Sequence, residues 1–400
     1  MDHALDWSSM WFDRDIEQFL RINSSLPIKI LKGPRQVGKT SLLEHLKTHS
    51  PVYFDDLQVR RRAEADPRFF FDQMGSKLIL DEATLVPEVF SELKRRVDES
   101  RRVDKKLAVD YWITGSNQTL LQRAVRESLA GRASYYDLNT LSWHELPHST
   151  LEDFFFRGGW PELRKDSHLN STRYLNDFIA TFIEKDIVVA AGIERRDAFA
   201  KCLHLTAARI GQLWNSADVA RDSGVDATTL QSWISLLQQN GVLMKLPAYS
   251  SNLNSRLIKT PKIYFEDVAL ATRLQGWVEF KPLYLSSQFG FLLENLAITE
   301  VARSFTNRGL PASLFYLRSK EKVEVDLVIE LPNQQFIVAE VKATPNGWTK
   351  EQHALVDSLK IKVVERWIIS PQRGANFKGV RAIEFKDIFD EIGRLLPEGS

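Results

Sequence analysis

Cysteine is almost missing from this chain: Cys202 is the only one in 400 residues. An intrachain disulfide is therefore excluded, as is a zinc site built on several cysteines, and a reducing compartment is expected. Long apolar runs are missing as well. No stretch approaches the roughly 18 consecutive apolar residues of a membrane helix, and Asp2, Asp6, Asp13, Asp15 and Glu17 interrupt any leader-like segment at the start. A soluble, cytoplasmic protein with no membrane partner is expected. An excess of one charge is lacking too: 53 basic residues face 52 acidic ones, so any nucleic-acid surface has to be local. The eight histidines are scattered, and His144 and His204 are expected in the core or on the surface rather than on a metal. No nucleophile elbow is present. With 44% hydrophobic and 26% charged residues the composition is that of a globular chain, and its length suggests two or three domains.

What is present is concentrated in Gly33 to Thr40, GPRQVGKT, which fits the pattern Gly, four residues, Gly, Lys, Ser or Thr. An apolar run, Pro27 to Leu31, precedes it and helix formers from Ser41 to Thr48 follow, so the loop joins a strand to a helix. Gly33 and Gly38 let several N–H groups turn inward, and the helix adds its positive end. The expected nucleotide-binding residues are Gly33, Pro34, Arg35, Gln36, Val37, Gly38, Lys39, Thr40 and Ser41. Lys39 would reach the outer phosphates of ATP, and the Thr40 hydroxyl would hold Mg2+.

Lys77 to Glu82 reads as a strand ending in two acids. Asp81 would meet the metal's hydration shell, while Glu82, pointing elsewhere, would polarise the attacking water. A further strand, Val109 to Thr114, runs into Gly115-Ser116-Asn117. Thr114, Ser116 and Asn117 can each monitor the outer phosphate, and Asn117 is the favoured one. Ahead of the loop, Phe12, Ile16, Phe19 and Leu20 mark an amphipathic helix over 11–22, placed to border the base. The basic window Lys94 to Lys106 reads as a solvated helix face, with a phosphate-backbone contact as the alternative.

These residues resemble a family: the prokaryotic AAA-type ATPases with a C-terminal region related to restriction endonucleases. The resemblance rests on GPRQVGKT, on LILDE, on ITGSN, on ESLAGR at Glu127 to Arg132 and on GGWPE at Gly158 to Glu162, and it extends over nearly the whole chain. It implies that Arg132 contacts nucleotide phosphates in its own subunit or across a subunit interface, which would make a homo-oligomer a partner. GGWPE looks like the hinge into a helical lid. Ala83-Thr84 depart from the Ile-Gln expected after the acidic pair, so no role for that Gln is carried over.

The fold class expected is thus α/β: an AAA-type P-loop NTPase domain (1–150), a helical lid (151–215), a winged helix-turn-helix (216–280) and an endonuclease-like α/β domain (281–400). Tyr174 to Ala191 and Phe199 to Leu213 read as lid helices. Ser216 as N-cap, a turn at Gly224 and a second helix to Gln239 read as the helix-turn-helix. That second helix carries no Lys or Arg, which weakens DNA recognition and leaves phosphate contact to Arg221, Lys245, Arg256, Lys259 and Lys262. Toward the C-terminus a helix with Glu294, three strands, a helix and a fourth strand resemble the restriction-endonuclease fold. Alternation along a strand puts Glu340 and Lys342 on one face. Asp326, Glu340 and Glu294 would then bind Mg2+ and Lys342 would act on the attacked phosphate of DNA. Two readings remain open: ATP turnover coupled to DNA binding or cleavage, or a regulatory ATPase whose last two domains bind protein partners.

Overall fold

The structure is a computed structural model that describes residues 11–21, 26–102, 109–250, 260–372 and 374–397, with the backbone alone at 184, 185 and 333. A five-residue helix, Glu17–Arg21, stands where a helix over 11–22 was expected, and five short parallel strands follow: Ile28–Lys32 (β1), Ser50–Tyr53 (β2), Lys77–Asp81 (β3), Asp110–Ile113 (β4) and Ala133–Asp137 (β5), in the order β2-β3-β4-β1-β5. β4 thus lies between the strand that enters the Gly-rich loop and the strand that ends in acids, and Ile30 pairs with Ile113 on one side and Tyr135 on the other. All the carboxyl ends point the same way, which gathers the ends of β1, β3 and β4 at one rim. Lys29 is the buried charge of β1, and it is satisfied by ion pairing with Asp110 beside the Trp112 ring.

The middle third is helical: Leu151–Arg157, Ser171–Phe178 and Arg196–Ala208. The continuous helix expected over 174–191 is instead an α-helix that gives way at Ile179–Ile187 to nine residues of π-helix. Thr181 donates its hydroxyl to the carbonyl of Asp177 at 2.6 Å, a side-chain bond that competes with the helical ladder where the register changes. Helices Ser216–Ser223 and Ala227–Gln239 follow, joined through Gly224 at φ 73°. The first is capped by Asn215 rather than by Ser216, with the Asn215 side chain accepting from Ala217 and Asp218. An antiparallel pair, Leu243–Leu246 (β6) and Lys262–Phe265 (β7), completes this unit.

The last third begins with helix Gln288–Thr306 and continues with Ser313–Arg318 (β8), Glu324–Leu331 (β9), Gln335–Val341 (β10), helix Lys350–Asp357, Lys362–Ser370 (β11), Arg381–Glu384 (β12) and helix Ile388–Leu395. The sheet order is β12-β11-β10-β9-β8, antiparallel across β8, β9 and β10 and parallel beyond. The expected helix, three strands, helix and strand are present in that order; β12 and the final helix were not foreseen.

One apolar cluster runs from Ile16 to Ile392 and crosses every boundary drawn from the sequence at 150, 215 and 280. Helix Gln288–Thr306 is its axis. Fourteen of its 19 residues are buried, because it is covered on all sides instead of lying on a surface.

Candidate functional site

The Gly-rich loop is shaped by two constraints. Gly33 leaves β1 at φ 151° so close to the carbonyl of Leu138 that a Cβ would stand 2.0 Å from its oxygen. Gly38 caps the following helix in the left-handed region at φ 87°. Lys39, the first residue of that helix, is buried and donates to the carbonyls of Gly33 at 3.0 Å and Pro34 at 2.7 Å. Burial lowers its pKa to about 8 against the pull of Glu82 and Asp81.

Across the rim, Asp81 Oδ1 accepts from the Thr40 hydroxyl at 2.7 Å and from the Thr114 hydroxyl. Glu82 turns away from it at φ 52°, and its Oε2 accepts from both N and Oγ of Ser116, each at 3.0 Å. The two acids therefore divide as expected: Asp81 beside the loop threonine, Glu82 toward the polar end of β4. The hydroxyl of Thr40 with the carboxylate of Asp81 is a donor set of hard oxygens suited to Mg2+. Asn117, favoured from sequence, does not reach either acid, because its side chain caps helix Gln118–Ser128 by accepting from Leu120 N at 2.9 Å. Of the three candidates at this strand end, Thr114 and Ser116 are the ones that meet the acids.

Arg132 is also placed otherwise. It lies just before β5, level with the start of β1, about 16 Å of strand away from the loop, and Asp98 accepts from its Nε at 2.7 Å and its Nη2 at 2.9 Å. That salt bridge is a structural role, and no contact with phosphates follows from it in its own chain.

Arg14 was not foreseen. It is buried and donates to Val37 O in the loop at 3.2 Å, to Asn139 O at 2.8 Å and to Glu145 Oε1 at 3.0 Å, so it braces the loop from behind. His144-Glu145-Leu146-Pro147-His148 matches the HExxH spacing of zinc hydrolases, yet Glu145 serves Arg14, and His144 meets Asp15 at 2.8 Å and stacks on Phe389. Among the described residues no three His, Cys, Asp or Glu side chains are grouped to hold a metal.

A cleft of about 430 Å³ opens beside the loop and Ser41, between Trp11 and Phe12 on one wall and Pro161, Glu162 and Tyr174 on the other. The Tyr174 hydroxyl donates to Gln36 in the loop at 2.8 Å, while Arg35 pairs with Asp186 of the π segment. GGWPE, which forms one end of this wall, is a packed junction and not a hinge. Gly159 N donates to Asp267 at 2.9 Å, its carbonyl accepts from Leu141 N at 2.7 Å, and a Cβ on Gly159 would lie 2.1 Å from Leu141 O.

The second constellation comes together as strand alternation requires, with Lys342 Nζ 2.8 Å from Glu340 Oε2. Asp326 accepts from Val341 N at 2.8 Å. The metal role expected of Glu294, Asp326 and Glu340 is not met, however, because Lys262 of β7 donates to Glu294 at 2.8 Å and lies 2.6 Å from Glu324. Burial, with Asp326 nearby, pushes the carboxyls of Glu294 and Glu340 up to about 7.

The phosphate-contact candidates fare similarly. Arg221 pairs with Asp218 and Asp222, Lys262 is buried, and burial lowers the pKa of Lys245. Arg256 and Lys259 lie outside the described residues. In the described part of the basic window, Arg95 and Arg96 are tied to Glu92, Glu99 and Asp72, and Lys105 and Lys106 lie outside the described residues.

Comparison with known proteins agrees with the first site. An AAA domain family matches residues 25–147, and two domains of unknown function match 148–281 (DUF8612) and 289–384 (DUF4143). An uncharacterised protein of Mycobacterium tuberculosis is 30% identical over 346 residues, which is 83% of this chain and 74% of that protein; one from Mycobacterium bovis gives the same figures. The chain belongs to their family. Its N-terminal third is an AAA-type P-loop ATPase domain. A third family-like relative, an uncharacterised protein of Haemophilus influenzae, is 22% identical over 337 residues, covering 76% of this chain and 81% of its own. Among solved structures, the Walker-type ATPase of Pyrococcus abyssi matches 66% of this chain and 96% of its own at 16% identity and a TM-score of 0.42, too loose a likeness to carry an argument. No described helix is long and apolar enough to cross a membrane.

Proposed function

We propose that this family member binds ATP with Mg2+ at the Gly33–Ser41 loop and hydrolyses it. The observation that carries the reading is the division of labour at the rim: Thr40 and Thr114 on Asp81, Ser116 on Glu82. The Thr40 hydroxyl and the Asp81 carboxylate would hold Mg2+, which would offset the negative charge of the outer phosphates. Lys39, now held by two loop carbonyls, exchanges those partners for phosphate oxygens. Glu82, released from Ser116, orients and polarises the attacking water, and Ser116 sets where the carboxylate rests. Trp11, Phe12 and Tyr174 wall the cleft that takes the nucleoside. Steady-state turnover tests this: Lys39→Ala is expected to abolish it and Glu82→Gln to lower kcat by about 10²–10⁴-fold, whereas unchanged turnover in both would refute it.

For the remainder of the chain the regulatory reading is favoured over DNA cleavage. The helix-turn-helix with its β6–β7 wing and the endonuclease-like sheet then serve as contact modules, since helix Ala227–Gln239 presents no cation and lysines fill the acid cluster. Magnesium- or manganese-dependent nicking of a plasmid that disappears in Asp326→Ala would reverse this preference.

A further inference from the structure

Lys262 stands where a lysine is costly. It opens β7 opposite Leu246, makes an isolated bridge with Leu213, and is 2% exposed. Alternation puts Lys262 and Tyr264 on one face, and both donate to Glu294 Oε1, the lysine at 2.8 Å. The same ammonium is 2.6 Å from Glu324 Oε1 and 5.5 Å above the Tyr316 ring, and Asp326 adds a third negative neighbour. A buried ammonium persists only when paired on several sides, and here it is.

The divalent metal expected at Asp326, Glu340 and Glu294 does not fit beside it. Mg2+ takes six oxygen ligands at about 2.1 Å, while one oxygen each of Glu294 and Asp326 and both oxygens of Glu340 are already used. Glu294 accepts from Lys262 and Tyr264, Asp326 from Val341 N, and Glu340 from Asp326 N at 3.3 Å and from Lys342. We propose that Lys262 is a protein-supplied cation standing in for the metal, so that the C-terminal acid cluster is an ionic clasp fixing the β6–β7 hairpin to the β8–β12 sheet, and becomes a divalent-cation site only when Lys262 loses its charge. The proposal is independent of ATP hydrolysis.

Manganese binding to the full-length, nucleotide-free chain, followed by electron paramagnetic resonance, tests it. Wild type and Lys262→Arg are expected to hold no Mn2+ that Asp326→Asn removes. Lys262→Met is expected to gain one Mn2+ per chain, lost again in Lys262→Met/Asp326→Asn. If Lys262→Met fails to fold, Lys262→Met/Glu324→Gln, with one unpaired carboxylate fewer, replaces it and carries the same expectation. A wild-type chain that already binds an Asp326-dependent Mn2+ would overturn the proposal without recourse to any Lys262 variant, as would a folded Lys262→Met chain that gains none.

Discussion

Lys39 shows how burial sets the working range of a single charge. Its pKa, lowered by desolvation to about 8, leaves the ammonium charged below that pH and progressively neutral above it. Phosphate binding favours the charged form, so ATP affinity should be level below pH 8 and fall by up to about tenfold per unit above it, measured as calorimetric Kd against pH; an ordinary surface lysine would show no such fall until near 10.4. Gly159 is governed by space instead. Gly159→Ala would drive a Cβ into Leu141 O, with an expected loss of about 2–4 kcal/mol in denaturant unfolding. The loop residues and the two rim acids were legible in the sequence because their chemistry is local: one pattern of spacing demands them. Arg14 was not, because its partners Val37 and Glu145 lie 23 and 131 residues away. Asn117 and Ser116 are adjacent and equally polar; only the start of the next helix decides which one caps it and which one meets Glu82.

Elements were easier to read than the joints between them. The strands β3, β4, β9 and β10 announce themselves as short apolar runs, and the charge-free helix Ala227–Gln239 follows the turn expected at Gly224. The π segment was missed since its residues keep helical periodicity while the hydrogen-bond register changes. The cap at Asn215 was assigned one residue late, a distinction that rests on which side chain turns back to the helix start. Asn215→Ala should cost about 1 kcal/mol of stability and leave ATP turnover unaltered, since the cap lies outside the nucleotide site; a mutant that loses turnover while still folded would show that this helix communicates with the loop.

For the molecule as a whole, the sequence boundaries divide what the packing joins. Trp143 packs on Phe385 and His144 on Phe389, contacts between the segment after β5 and the C-terminal residues that leave no trace in composition. Arg303, buried in the axial helix, donates to Glu300 at 2.6 Å and to Thr140 at 2.8 Å, tying that helix to the segment after β5. Arg303→Ala leaves Glu300 without its ion-pair partner, held among the described residues only by Trp143 N, and should cost about 3 kcal/mol. Because one of the apolar clusters joins all three thirds, tryptophan fluorescence and ATP binding should be lost together on denaturation, in one transition; two separated transitions would mean that the thirds fold independently.

We propose the Gly33–Ser41 loop as a nucleotide cradle worked by Lys39. Isothermal titration of Mg-ATP into the full chain tests it most directly. The expected result is a saturating heat at one nucleotide per chain for wild type and none for Lys39→Ala; no saturating heat in wild type, or equal affinity in the two, would contradict it.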